Sequence, residues 1–455
     1  MRMENDLGRD PIRQLVLRIA LPSMLAQFVS VLYSVVDRMY IGNIPEVGNL
    51  ALAGAGVCGP IVTMIGSVAF LVGVGGSPLV SIRMGAGDNE GARRILANCF
   101  VLLCGLAAAL MALAYATRRP VLLLFGASES SLPYAESYYT VYLAGTLFAL
   151  LATGMNQFII CQGFAKKGML SVLLGAVLNI LLDPVFIFVL DMGVAGAALA
   201  TVLSQLASCI FVLVFLFGRQ PPIRITFGGY SARIMGRVMA TGFTPFVIIA
   251  FDNVMIIALN SLLQKYGGAA QGDLLVAAAT IAQSFMLVVT MPLGGITGGT
   301  GAILGYNYGA GQPKRILEAQ KFILLLSLSY TTLLFLIGQC VPGLFVSIFT
   351  SDPQVAELAV RAIRISTLGV IMLGIQYTII DGFTGMGMMQ YSLPLSFLRK
   401  TIYFIPLFIL PACFGAMSTF VAEPISDFVA PAISIIVYWR RIRYVVGLKQ
   451  PQKAQ

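Results

Sequence analysis

Twelve apolar runs constrain this chain more than any other feature. They fall at roughly 15–43, 50–81, 94–116, 136–163, 169–190, 194–217, 238–264, 274–306, 316–339, 358–384, 391–411 and 414–438. Each is long enough to cross a bilayer, which takes about 20 helical residues. Inside hydrocarbon every backbone amide and carbonyl needs an internal partner, and uninterrupted apolar runs satisfy that as helices. The expected fold is therefore an all-α polytopic membrane protein with twelve transmembrane helices. With 58% hydrophobic and 11% charged residues in 455, the composition lies far from that of a soluble domain.

Basic residues set the orientation. With the N-terminus in the cytoplasm, the inner segments carry Arg2 to Arg18, Arg83, Arg93 and Arg94, then Lys166 and Lys167, and Arg219 to Arg237. Lys314, Arg315 and Lys321 follow, and then Arg440 to Lys453. The outer segments hold only Arg118, Arg119, Lys265, Arg361 and Arg364. Both termini are expected in the cytoplasm. The formal charge of +10 is thereby a topology signal and not a nucleic-acid footprint. The first run is too long for a signal-peptide core and is expected to stay as a helix.

The chain repeats itself. The run from Pro22 matches one from Pro245, and Gly85-Ala86-Gly87 with Arg93-Arg94 matches Gly309-Ala310-Gly311 with Lys314-Arg315. Two six-helix lobes follow: residues 1–217, a cytoplasmic linker at 218–237, and residues 238–455. An even number of helices inserts both lobes the same way up, about an axis along the membrane normal, with the substrate path between them.

Polar residues inside such runs are costly and mark ion or proton paths. In Leu178-Asn179-Ile180-Leu181-Leu182-Asp183-Pro184, Asn179 and Asp183 are four apart and share a helix face. Pro184 frees the carbonyl of Ile180. At about 1.5 Å per residue, Asp183 in span five and Thr201 in span six lie about 12 Å from the outer surface, and Asp37 in span one about 10 Å. Asp37, Asn179, Asp183 and Thr201 are thus the candidate cation-coupling site. Two neighbouring carboxyls readily share a proton. The same oxygens, with an amide and a hydroxyl, suit a hard ion such as Na⁺, for which these four residues would be the metal ligands. The structural alternatives are a buried, protonated Asp183 that pins two helices, and an Asp37–Arg38 ion pair, although adjacent helical residues point apart.

The second half is not a copy. Asn260 aligns with Asp37, and Arg399-Lys400 stand near where the Asp183 region would repeat. Asp252 and Asn260 are candidates for a path through that half. Glu423 and Asp427, four apart around Pro424, are candidates to pair with Arg399 or Lys400. Asp381 reads as a solvated helix end. Pro22 and Pro184 are expected to kink their helices. The glycines of spans two and eight read as close-packing positions. Met386, Met388, Met389 and Tyr138, Tyr139, Tyr142 suit an adaptable apolar lining.

With no histidine, imidazole chemistry is excluded. Seven scattered cysteines without a C-x-x-C pair give no metal or disulfide framework. There is no G-x-x-x-x-G-K-[ST] loop, so an enzyme is not expected and no cofactor is implied beyond a coupling ion, H⁺ or Na⁺.

Together, Leu21-Pro22, Val36-Asp37-Arg38-Met39-Tyr40-Ile41-Gly42, Gly85-Ala86-Gly87-Asp88-Asn89, Gln162-Gly163-Phe164, Asn179 to Pro184 and Glu423-Pro424-Ile425-Ser426-Asp427 resemble the multidrug and toxic compound extrusion (MATE) family, in particular its bacterial DinF-type exporters. The resemblance covers about residues 10 to 445. It implies a V-shaped pair of lobes and cation-coupled antiport of drugs or organic cations, by alternating access, across a bacterial cytoplasmic membrane. It carries the N-lobe coupling role onto Asp37, Asn179, Asp183 and Thr201, and makes Asp252 a counterpart in the C-lobe. The expected partners are small cationic or amphipathic molecules and lipid, with no nucleic acid, and the chain is expected to act as a monomer. The nearest alternative is a flippase for lipid-linked oligosaccharides from the same superfamily. Such a carrier needs a strongly basic central path, and here most basic residues sit at the inner surface.

Overall fold

The computed structural model describes residues 5–45, 47–125, 127, 129–350, 352–445 and 447. Arg2, Lys449 and Lys453, counted above among the inner basic residues, lie outside them. Every regular element among these residues is a helix, and residues 218–231 form an irregular connection. α1 (Ile12–Gly42), α2 (Gly48–Gly85) and α3 (Asn89–Leu124) are single long helices. α4 (Leu132–Ala144) and α5 (Thr146–Ile160) meet at Gly145 with a bend of 57°. α6 (Ala165–Pro184) continues into one π turn, Val185–Val189, and α7 (Gly193–Phe217) follows. α8 (Ala232–Gly268) and α9 (Leu274–Gly309) part at Gly268, whose φ of 64° breaks the helical path. Then come α10 (Pro313–Cys340), a single turn at Pro342–Val346, α11 (Pro353–Ser366) and a 3₁₀ turn at Thr367–Gly369. They lead to α12 (Val370–Gly385), α13 (Met389–Phe414) and, after a 3₁₀ segment at Ala416–Val421, α14 (Ala422–Val445).

Among the described residues, eleven helical segments are long and apolar enough to cross a membrane, with α11–α12 counted as one. The bent pair α4–α5 makes a twelfth span. The twelve fall where the apolar runs lie. The repeat persists in the irregularities, because the break of span four at Gly145 is answered in span ten at Gly369. Each is a glycine held tight against a neighbour. A Cβ on Gly145 would meet the Val202 side chain at 2.5 Å, and one on Gly369 would meet Asp427 Cβ at 2.4 Å.

The chain packs as two compact units, and their limits do not fall at the linker. The first joins Leu25–Ile249 to the chain up to Asp6; the second joins Leu7–Met24 to the chain from Ala250 onward. Each unit therefore takes in the opening turns of the helix that starts the other half. In the second unit, small residues let the start of α1 lie backbone-to-backbone on α9. A Cβ on Gly295 would meet Ser23 O at 2.6 Å, and one on Gly299 would meet Ser23 Oγ at 2.5 Å. In the first unit, the start of α8 lies on α2 in the same manner. A Cβ on Gly75 would fall 2.4 Å from Val238 O, and one on Gly242 would fall 1.7 Å from Leu71 O. Small residues at helix crossings allow this approach, which is the packing role expected of these glycines.

Polar side chains, most of them buried, hold the segments that lead into both helices. Asn98 donates to Gly229 O (3.1 Å) and accepts from Ser231 N (2.8 Å), and Gln162 Oε1 accepts from Ile223 N (2.9 Å). The linker is thereby fastened to the first unit. In the second unit Arg315 donates to Leu7 O (3.2 Å) and Asp10 O (2.9 Å), and Asn307 donates to Leu7 O (3.0 Å). Arg315 is thus a structural clamp.

Candidate functional site

In the first unit, α6 places Asn179 and Asp183 one turn apart on the same buried face, exposed by 2% and 0%. Pro184 leaves the carbonyl four residues earlier without its usual partner. The helix then widens to the π turn, where Leu190 N reaches Val185 O at 2.9 Å. Such turns recur at functional sites. This one is packed on both sides. Phe188 meets Tyr40 of α1 edge-on, with ring centroids 6.4 Å apart, and a Cβ on Gly196 of α7 would lie 2.7 Å from the Phe186 carbonyl. The widened turn thus draws the C-terminal ends of α1 and α6 and the start of α7 together. Pro22, also expected to kink its helix, lies within an unbroken helical stretch of α1.

The four residues singled out from depth, helix face and family resemblance meet in space. Asn179 Nδ2 donates to Asp183 Oδ1 (3.3 Å) and to Thr201 Oγ1 (3.2 Å). Asp37 of α1 and Asp183 of α6 face one another within hydrogen-bonding reach. The exposed Arg38 makes no ion pair with Asp37, and no base is paired with Asp183 among the described residues. Asp37 Oδ1, Asp183 Oδ2 and Asn179 Oδ1 are buried oxygens with no protein donor. Buried polar atoms are seldom left so, and three converging acceptors suit a proton or a cation.

Further residues join this cluster that depth did not single out. Tyr33 and Tyr138 sit in the field of Asp37, and the Tyr142 hydroxyl lies in hydrogen-bonding reach of Gln205. Tyr138 and Tyr142 stack with centroids 6.3 Å apart. The spacing carries a signal for two of them: Tyr33 is one turn before Asp37 and Gln205 one turn after Thr201, each on the same helix face.

The second unit is built differently. Arg399 and Lys400 are adjacent on α13 and point apart. Arg399 Nε donates to Asp427 Oδ1 of α14 (2.9 Å), and its Nη2 lies 2.9 Å from the same oxygen. Lys400 Nζ pairs with Asp252 of α8. Asp427 is 0% and Lys400 6% exposed. Asn260, on α8, is partly buried with Oδ1 unpartnered, and no hydrogen bond joins it to Asp252. Asp381 is not a solvated end. It is partly buried and accepts from Thr297 of α9, because the glycines of α9 and α12 bring those helices into contact. All seven cysteines are free thiols.

A family model described as MatE matches residues 22–185 and again 246–410, one match in each half. The chain is 24% identical to the multidrug export protein MepA of Staphylococcus aureus over 461 residues, with 97% of each covered. It is 28% identical to the FAD transporter of Shewanella oneidensis over 367 residues, with 78% of each covered. Among solved structures it is similar to the outward-facing conformation of a multidrug resistance MATE family transporter of the MOP superfamily. That match has a TM-score of 0.89 at 23% identity and covers 96% of this chain and 98% of the other.

Proposed function

This chain belongs to the MatE family, and from that membership we propose that it is a secondary active antiporter, not an enzyme, that exports drugs or organic cations in exchange for H⁺ or Na⁺. The observation that carries the coupling is the Asp37–Asp183 pair, two carboxyls in reach of each other with no base between them. Two such groups in a low-dielectric setting cannot both stay charged without a cation. A proton would sit between them. A sodium ion would be held by Asp37, Asp183, Asn179 Oδ1 and Thr201 Oγ1, the oxygens that suit a hard ion. Among the described residues no cluster of three or more His, Cys, Asp or Glu offers another metal centre.

In the proposed cycle the outward-open site takes up the cation, which neutralises both carboxyls and lets α1 bend and release drug outward. The chain then opens to the cytoplasm, loses the cation and takes up drug again. It works as a monomer in the cytoplasmic membrane of a bacterium, with both termini inside. The basic inner segments and the similarity to a bacterial multidrug export protein support this reading.

The test is ethidium uptake into inverted vesicles under a proton gradient and, separately, a sodium gradient. Uptake driven by one of them, and lost in Asp183→Asn, is the expected result and names the ion. Wild-type uptake by Asp183→Asn would place coupling elsewhere.

A further inference from the structure

The connection between the sixth and seventh spans, residues 218–231, carries positive charge and no acid. Arg219 and Arg224 lie in it, and Arg233 and Arg237 follow in the opening turns of α8. No Asp or Glu occurs between Asp191 and Asp252. All four arginines are exposed, and among the described residues none of their guanidinium groups has an ion pair or a hydrogen bond.

The connection is irregular but fixed. Pro221, Ile223 and Ile225 are buried, so alternate side chains seat it on the first unit and leave Arg224 exposed between them. The bonds from Gln162 and Asn98 hold it, and Ile225 N donates to Leu216 O at 3.1 Å. Phe227 stacks on Phe217 with ring centroids 5.8 Å apart, and Phe217 meets Phe100 edge-on at 5.9 Å. Phe217 is the last residue of α7, so Phe227 stands at the level where that span ends. Phe227 is nevertheless 73% exposed and Tyr230 49%.

We propose that this connection is a lipid-binding surface. Arg219, Arg224 and Arg233 take the phosphate headgroups of anionic phospholipids, and Phe227 and Tyr230 lie in the boundary beside the acyl chains. Aromatic residues with basic neighbours at the end of a span are the chemistry of an interfacial anchor. Four or more bases beside a span attract an anionic leaflet, each contributing about a fivefold gain in binding near the surface. A guanidinium suits phosphate because its donors match two oxygens at once. Bases kept only to orient the spans during insertion need charge alone. They need neither a pinned backbone nor aromatic side chains exposed at the same level. The connection leads directly into the turns of α8 that pack on α2, so lipid held here fixes the depth of that crossing. The binding is independent of which cargo or ion the chain carries.

The test uses the full chain in nanodiscs, as Phe227→Trp in a Trp439→Phe background, which leaves a single indole in the connection. Its fluorescence is read in phosphatidylcholine discs with a fixed fraction of brominated phosphatidylglycerol or of brominated phosphatidylcholine. The expected result is quenching by both lipids, stronger with phosphatidylglycerol by about threefold or more. That preference should vanish in the double variant Arg219→Gln with Arg224→Gln, and in about 1 M salt, where the screening length falls to about 3 Å. It should persist in Arg440→Gln with Arg441→Gln, which removes the same charge from the end of α14. All the substituted side chains are exposed, and each variant is checked for a monodisperse elution profile. Equal quenching by the two lipids would overturn the headgroup site. Absence of quenching by either would place the connection in water and overturn it as well. Equal loss of the preference in both double variants would reduce it to net charge and remove the site.

Discussion

The two units share one helical plan and differ in how they meet part of their charge inside the helices. In the first, two carboxyls, an amide and a hydroxyl gather with no base paired to them. In the second, resident bases neutralise two acids, Arg399 with Asp427 and Lys400 with Asp252. A buried carboxyl without a fixed counter-charge must take a mobile one, whereas a buried ion pair is already satisfied and gains nothing from an incoming ion. A duplicated scaffold can thus divide labour by placing bases in one copy only. The halves keep the glycine break of span four in span ten while their charges diverge, because that break depends on a closely packed glycine which polar substitutions elsewhere leave untouched.

This contrast can be broken most sharply in the first unit. Asp183→Asn removes the carboxyl that faces Asp37 and is expected to lower gradient-driven export by about two orders of magnitude or more, the range for removing a group that handles the proton. Fluorescence-detected gel filtration should show a normal fold, since Asn keeps the size and the amide can still meet Asn179. An unfolded Asp183→Asn would make the cluster structural, like its counterpart.

In the second unit the prediction reverses, with stability as the readout. Asp427→Asn leaves Arg399 buried without its counter-charge, and breaking one side of a buried pair costs about 3–5 kcal/mol. Its melting temperature should fall clearly, and the double variant Arg399→Met with Asp427→Asn should recover part of the loss. If the single variant melts like wild type but fails to transport, the pair belongs to the transport machinery.

A third test concerns the scaffold both units share. Gly242→Ala would place a methyl group 1.7 Å from Leu71 O, so α8 must move away from α2. Overpacking of this kind costs about 1–3 kcal/mol. Gly294→Ala, whose nearest neighbour would be a Tyr377 ring carbon at 4.0 Å, is the control and should stay within about 0.5 kcal/mol of wild type. Equal thermal stability of the two would remove the close crossing as a structural requirement.

The smallest effect is expected outside the membrane. Asp88 caps α3 by accepting from Gly91 N at 2.8 Å, and it also pairs with Arg83 at 2.7 Å. The Gly91 amide, with Arg83 next, holds its carboxyl below the ordinary range. Its contribution is therefore full above the unfolded carboxylate range and fades as pH falls through the lower, folded value. Asp88→Ala should speed amide exchange in the first turn of α3 at neutral pH. Wild type and variant should converge in acid, and a pH-independent difference would contradict the cap.

Much of the first site is legible in the sequence. Span position and helix rise put Asp37, Asp183 and Thr201 at one level with Asn179 a turn away on the face of Asp183, and on neighbouring helices of one unit a shared level becomes contact. The tyrosines and Gln205 are less legible, since depth says nothing of which way a helix is turned. Asp381 is misleading for the same reason. Nearness to a helix end suggests water, yet α9 lies against that turn and supplies the Thr297 hydroxyl. The opening turns of α1 and α8, which chain order assigns to their own halves, pack with the other unit instead. The glycines and serine that permit this are visible in the sequence, but nothing local states which helix they face.

By itself the sequence determined the twelve spans, their repetition and the supply of charges, because hydrocarbon imposes one length and one periodicity on any crossing helix. Only the tertiary structure decided how those charges are shared. Arg399 and Lys400 are neighbours in the chain, but successive residues on a helix point about 100° apart. One therefore reaches α14 and the other α8, and that divergence leaves Glu423 without a base.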